Sequence, residues 1–148
     1  MRVLYVEDSR VDADLTRHAL ARQAPEIALD IAGTLNDARQ RLADGTYDLV
    51  LTDLKLPDGT GLELLGSIRS AGLGVPVVLV TGQGDMATAV NALKAGAQDY
   101  LVKGDDYLDG IAPLLREVLA RSRRHAVRGR PLRVLYAEPN PADAELAR

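Results

Sequence analysis

The chain has no cysteine, no tryptophan and no phenylalanine. Disulfides and thiolate metal sites are therefore excluded. Aromatic residues make up 3% of the sequence and all are tyrosine, so a core has to be assembled from Leu, Val, Ile and Ala. No apolar run approaches membrane-spanning length, and Met1-Arg2-Val3-Leu4 lacks the form of a signal peptide. No membrane association is expected. Neither sign of charge dominates: a net charge of −3 gives no reason to expect nucleic acid as a partner. The one basic run, Arg121–Arg130, has no interleaved aromatic residue and no reading helix, so a solvated helix end and linker is the plainer reading. The two histidines, His18 and His125, read as surface residues, and a phosphodonor role for His18 is not expected. What is present is ordinary in amount: 148 residues, 47% of them apolar, are enough for one cytoplasmic globular domain with a real core.

Apolar runs and amphipathic stretches alternate five times. Arg2–Val6 reads as a strand, followed by a helix over about 10–22 that Ser9 can cap, with Asp12 three residues on in a capping-box arrangement. A second strand is expected over 27–32 and a helix capped by Thr34 that ends near Gly45. The run Tyr47–Asp53 is the third strand, and Leu62, Leu65 and Ile68 stripe a third helix that stops near Gly72. A fourth strand is predicted over 75–80, and Asp85 opens a helix with Met86, Ala89, Val90 and Leu93 on one face. The fifth strand is expected over 100–102. The fifth helix has its body over 114–124, its start blurred by Gly110 and Pro113. Such alternation predicts an α/β fold: a doubly wound, five-stranded parallel sheet with helices on both faces. Five units in this length fit the flavodoxin-like strand order 2-1-3-4-5, in which the first and third strands meet at the switch point where ligands bind.

That order gathers reactive groups along one edge. Asp53 ends the third strand, before a loop rich in Pro and Gly; Glu7 and Asp8 follow the first, Thr81 the fourth and Lys103 the fifth. Clustered acids repel, and a divalent cation with oxygen ligands balances them. Mg²⁺ is the expected cofactor, with Asp8 and Asp53 as direct ligands, the backbone carbonyl of Lys55, and Glu7 through water. Asp53 could act as a nucleophile, accepting a phosphoryl group as an acyl phosphate. Lys103 would stabilise the charge on the transferring oxygens, and Thr81 could bond one of them. The plainer reading has Glu7-Asp8 as acids at the positive end of a helix, but it leaves the coincidence of the other strand ends unexplained. Gly82-Gln83-Gly84-Asp85-Met86-Ala87 matches G-x-G-x-x-A, yet it follows the fourth strand, and Asp85 would face the pyrophosphate, so a dinucleotide site is not expected.

Together, the Glu7-Asp8 pair, Asp53-Leu54-Lys55-Leu56-Pro57 followed by Gly61, the Thr81-Gly82 turn and Asp99-Tyr100-Leu101-Val102-Lys103 resemble a response-regulator receiver domain of two-component signalling, over about residues 1–124. The resemblance implies that Glu7 and Asp8 are the acidic metal pair and Asp53 the phosphoacceptor. It implies that Thr81 is the switch hydroxyl, Tyr100 the switch aromatic and Lys103 the phosphate-binding lysine. Lys55 and Gln83 correspond to positions that tune dephosphorylation. A histidine kinase or histidine phosphotransfer protein would supply the phosphoryl group. A downstream output domain or protein would read the surface formed by the fourth helix, fifth strand and fifth helix. The chain would then be a regulator with at most self-phosphorylation and autodephosphorylation, not an enzyme. One position departs: Gly104 stands where the family usually has proline. Two other readings are a phosphate-independent interaction module on the same fold and an aspartyl-phosphate phosphatase. The phosphatase chemistry wants Asp-x-Asp, and Lys55 occupies the second-acid position.

A partial repeat closes the chain. Residues 133–148 align with 2–17 and share nine of sixteen positions, with Pro139 in place of Asp8. The expected organisation is a receiver over 1–124, a basic linker over 125–131, and over 132–148 the first strand and partial first helix of a truncated second receiver-like repeat, as in tandem receivers. That tail could mediate self-association.

Overall fold

The computed structural model describes residues 1–82 and 86–135, with the side chains of 86 and 124–135 left out. Five parallel strands form one sheet: β1 (Arg2–Val6), β2 (Ala28–Ala32), β3 (Leu49–Asp53), β6 (Val77–Thr81) and β7 (Asp99–Val102). Their order is β2-β1-β3-β6-β7. This is second-first-third-fourth-fifth among the long strands, the flavodoxin-like order that the alternation predicts. Between β3 and the third helix lies a short hairpin, β4 (Lys55–Leu56) and β5 (Gly59–Thr60), where the sequence suggested only a loop. Pro57 and Asp58 make its turn. Asp58 also accepts from the backbone N–H groups of Leu35 and Asn36 at 2.7 and 3.0 Å. It thus helps Thr34 cap the second helix, and those two donors hold its carboxyl below the usual range.

The helices are α1 (Arg10–Gln23), α2 (Leu35–Asp44), α3 (Gly61–Ser70), α4 (Met86–Lys94) and α5 (Tyr107–Leu135). Their ends follow from local chemistry. Thr60 and Glu63 form a full capping box at the start of α3. Its end is a left-handed Gly72 with φ +76°, where Leu73 N–H returns to the Ile68 carbonyl and Gly72 N–H to that of Arg69. The fourth long strand begins at Val77 rather than Val75, because Pro76 has no N–H for the ladder. Tyr107 already starts α5, ahead of Gly110 and Pro113: Ile111, Ala112 and Leu115 are buried, and that packing outweighs the breakers.

Both faces of the sheet are covered, so its central strands are apolar throughout. Leu4, Val6, Val50, Val77 and Leu79 cluster with Leu35 and Ala38 of α2, Leu64, Leu65 and Ile68 of α3, and Ala92 of α4. The alternate residues Val3, Tyr5, Leu49, Leu51, Val78 and Val80 are fully buried on the opposite face. There Gln23 of α1 donates to the Leu108 carbonyl of α5.

Residues Met1–Val118 form one compact unit, and the described residues from Leu119 onward belong to a second. In the second unit the backbone is helical as far as Leu135. Helix therefore occupies the stretch expected as linker and the first residues of the expected strand. Its Arg and Ala are strong helix formers, despite Gly129 and Pro131. Residues 136–148, most of the partial repeat, lie outside the described residues, as does Gln83.

Gly61 fixes the approach of α3 to the end of β3. A Cβ there would lie 2.5 Å from the Asp53 carbonyl oxygen and 3.0 Å from Leu79 Cδ2. Backbone cannot yield as a flexible side-chain tip can, so Gly61→Ala should cost about 1–3 kcal/mol in urea unfolding. Gly66, in the same helix, has nothing within 4 Å of its Cβ position. Gly66→Ala should instead stabilise by about 0.5–1 kcal/mol, as a helix-interior glycine loses more chain entropy on folding than alanine.

Candidate functional site

The parallel topology brings the carboxyl ends of β1, β3, β6 and β7 to one edge. β1 continues into Glu7, whose N–H still bonds to the Ala32 carbonyl at 2.9 Å. β3 ends on Asp53, paired with Val80 of β6. Thr81 closes β6, and its carbonyl accepts from the Lys103 N–H at 2.8 Å, so the lysine enters tied to the same edge. Carboxylate oxygens of Glu7, Asp8 and Asp53 all lie within 4.8 Å of one another.

Lys103 is the group that this crowd of acids surrounds. Its Nζ donates to Glu7 Oε1 at 2.8 Å, to Asp12 Oδ2 at 2.8 Å and to Asp53 Oδ2 at 3.4 Å. An ammonium has three donors, and all three point at carboxylates. Burial pulls its pKa down, but the bonds to Asp12 and Glu7 and the Asp53 charge outweigh burial, so it lies above the ordinary lysine value.

The acids differ in how firmly they are held. Glu7 is 2% exposed. One of its oxygens accepts from Tyr5 Oη at 3.1 Å as well as from Lys103, and the other from Ser9 N–H at 3.1 Å. Strand alternation explains the first contact, since Tyr5 and Glu7 stand two residues apart on one face. Tyr5 Oη also lies 3.2 Å from Tyr107 Oη at the start of α5. Asp8, by contrast, is exposed and makes no hydrogen bond or ion pair among the described residues. Asp53 is intermediate, its side chain 16% exposed, open to the pocket but held at its rim.

Two expectations change on inspection. The capping box of α1 is only half formed: Asp12 N–H donates to Ser9 Oγ at 3.2 Å, but the Asp12 carboxylate turns to Lys103, and Ser9 N–H goes to Glu7. The stronger charge pair takes the carboxylate away from the cap. Thr81 reaches the pocket edge with its backbone, while its buried hydroxyl donates to the Leu101 carbonyl of β7 at 3.4 Å. Tyr100 is half-buried and packs against the cluster beneath α2, α3 and α4. Lys55 is exposed on β4, beside Asp53 in sequence. The structure thus brings Glu7, Asp8, Asp53 and Lys103 together and adds Asp12, Tyr5 and Tyr107. Asp12 had a signal only as an acid in the first turn of the helix that follows Glu7-Asp8. A tyrosine inside the apolar run Val3–Val6 was the signal for Tyr5.

The donor set fits a hard divalent cation. It offers carboxylate oxygens only, one of them exposed and uncommitted, and more negative charge than one lysine offsets. The same geometry sets an alkaline limit on stability. Burial pushes the Tyr5 phenol above its ordinary value of 10.0, helped by Tyr107 and the Glu7 charge, and burial raises Tyr107 too. With Lys103, three groups have raised pKa values in the folded state. Each contributes stability that is fully present below its unfolded value and lost as pH rises toward the folded one. Chemical unfolding should therefore show no loss from these groups between about pH 7 and 9, a decline above about pH 10, and a shallower decline in Tyr107→Phe.

A profile of the response regulator receiver domain matches residues 3–108. The response regulator protein PilR of Pseudomonas aeruginosa is 36% identical over 145 residues, 98% of this chain and 29% of PilR. The chain thus spans less than a third of that relative's length. Among solved structures, the signal receiver domain of the LuxO repressor protein from Vibrio parahaemolyticus superposes with a TM-score of 0.78 at 29% identity, covering 85% of this chain and 95% of that one. The response regulator protein TrrA of Thermotoga maritima, solved in complex with Mg(2+)-BeF, superposes with a TM-score of 0.69 at 26% identity, covering 79% and 97%. With the acidic edge and its lysine in place, the chain belongs to the response regulator receiver domains of two-component signalling.

Proposed function

We propose that this domain takes a phosphoryl group on Asp53 from a histidine kinase or histidine phosphotransfer protein and passes the change to an output partner. The observation that carries the reading is the Lys103 ammonium 3.4 Å from Asp53 Oδ2, at a strand-end pocket that already holds Glu7 and Asp8. An Asp53 oxygen attacks the phosphorus of a phosphohistidine. An O–P bond forms and the P–N bond breaks. The donor ring, protonated on its second nitrogen, leaves as neutral imidazole. Lys103 offsets charge on the phosphoryl oxygens as they arrive. Glu7, Asp8 and Asp53, with the Lys55 carbonyl, would hold Mg²⁺, which when bound neutralises charge on the transferring group. That TrrA was solved in complex with Mg(2+)-BeF supports the same assignment here.

Thr81 closes β6 and Tyr100 lies on the adjoining strand β7, and we assign them the switch that reaches the surface of α4, β7 and α5. The Thr81 hydroxyl, now on the Leu101 carbonyl, would turn to a phosphoryl oxygen. Tyr100, on the neighbouring strand β7 opposite Leu79, would follow. Lys55 and Gln83, near Asp53 and Thr81 in sequence, would tune how long the acyl phosphate lasts. The chain then works as a regulator and turns over no substrate beyond its own phosphoryl group.

Two experiments check the reading. Acetyl phosphate with Mg²⁺ should add one phosphoryl group by intact mass, and Asp53→Asn should add none; a variant that still gains it would refute the acceptor assignment. Mg²⁺ should also raise the melting temperature, because a cation that binds only the native state at a hundredfold excess over Kd adds about 2.7 kcal/mol. Asp8→Ala should abolish most of that rise, since it removes the one uncommitted carboxylate; an unchanged rise would count against the metal site.

A further inference from the structure

The three carboxylates around Lys103 are not equivalent: Asp53 is the acceptor and Glu7 a ligand assigned to the metal, but Asp12 has no role in the transfer itself unless it controls the lysine. Glu7 is fixed. It is 2% exposed and accepts from Tyr5, Ser9 and Lys103, and the Tyr5 phenol is braced in turn by Tyr107. Drawing Lys103 away from Glu7 leaves a desolvated charge behind, which water cannot reach. Asp12 is different. Its side chain is 39% exposed, it stands on the first turn of α1, and its carboxylate has no partner other than Lys103 among the described residues. Water replaces the lysine there at little cost.

An incoming phosphoryl group lies beyond Asp53 as seen from the strand, and Lys103 already keeps its longest contact, 3.4 Å, with Asp53. The ammonium has to advance to meet phosphoryl oxygens, and with its three donors committed one contact must break. The exposed one breaks first.

We propose that Asp12 is a positioning residue of the phosphoacceptor site, a latch that holds Lys103 back in the resting domain and sets how readily the lysine engages a phosphoryl group on Asp53. The inference rests on the phosphoacceptor reading above. It assigns to α1 an influence on loading that capping alone does not give it. Asp12 touches neither metal nor phosphoryl group and acts only through the lysine.

The test measures beryllofluoride affinity and the rate of phosphorylation by acetyl phosphate, both at saturating Mg²⁺, on the full chain. Four proteins are compared: the wild type, Asp12→Asn, Asp12→Glu and Asp14→Asn. Asp14 is an exposed acid of the same helix, so its variant carries the same change in net charge without a contact to Lys103. Releasing a partly exposed charge pair predicts a gain of about twofold to fivefold in affinity and rate for Asp12→Asn. Asp14→Asn should stay close to the wild type. Asp12→Glu, which can reach the ammonium again, should return toward the wild type. Melting temperatures close to that of the wild type would show that the substitutions leave the fold intact; a large drop in Asp12→Asn would mean that Asp12 serves the fold and would overturn the proposal. Equal gains in Asp12→Asn and Asp14→Asn would reduce the effect to general charge, and no gain or a loss in Asp12→Asn would overturn it outright. A wild type that takes neither probe would sink the phosphoacceptor reading itself, whereas a wild type that loads normally beside an inert Asp12→Asn would sink only the latch.

Discussion

One ammonium group sits where the topology forces acids together. Carboxylates within 4.8 Å of one another repel by about 3 kcal/mol per pair at the effective dielectric of a protein surface. Parallel β1 and β3 must lie side by side for the order β2-β1-β3-β6-β7, so Glu7, Asp8 and Asp53 cannot avoid one another. Lys103, delivered by β7 and tied to β6 through the Thr81 carbonyl, offsets part of that repulsion. It cannot offset all of it, because Asp12 adds a fourth acid to the same lysine's surroundings. The pocket is therefore built with a standing excess of negative charge. That excess makes it receptive to a cation and leaves its one positive group in demand.

The rest of the domain holds this edge in register. A sheet covered on both faces by α1 to α5 leaves its strand ends no freedom to slide. Gly61 brings α3 to van der Waals contact with the Asp53 carbonyl, and the hairpin β4–β5 links the loop after Asp53 to the start of α2 through Asp58. On the opposite face a chain of polar contacts, from Tyr107 through Tyr5 to Glu7, runs under the pocket. It keeps the innermost acid immobile while Asp8 and Asp12 remain accessible. The site thus sets one fixed acid, Glu7, beside exposed ones.

Much of this architecture was legible in the sequence because it rests on short-range signals. Buried parallel strands read as apolar runs, and Asp53, Thr81 and Lys103 stand where those runs stop. Gly45 and Gly72 and caps at Ser9 and Thr34 punctuate the helices. What stayed hidden depends on contacts between distant segments. Asp12 read as half of a capping box because the pull of Lys103, 91 residues away, is invisible locally. Tyr5 drew no reading of its own because its partners, Glu7 and Tyr107, come together only when β1 and α5 pack. The hairpin β4–β5 is two residues per strand, too short for any periodicity to show. The hydroxyl of Thr81 was placed by its strand end, yet its direction is set by the Leu101 carbonyl on the neighbouring strand. The helical backbone over 125–135 was hidden because Gly129 and Pro131 gave signals opposite to those of the Arg- and Ala-rich run.

The central claim is that Asp53, among the neighbouring acids and hydroxyls, is the group that carries the phosphoryl. Borohydride reduction of the acetyl-phosphate-treated domain, followed by peptide mapping, tests it at the level of the atom. An acyl phosphate on Asp53 is reduced to a homoserine at position 53 and nowhere else, and this is the predicted result. Homoserine at Asp8 or Asp12, or no reduced residue in a protein that has gained phosphate, would contradict the account.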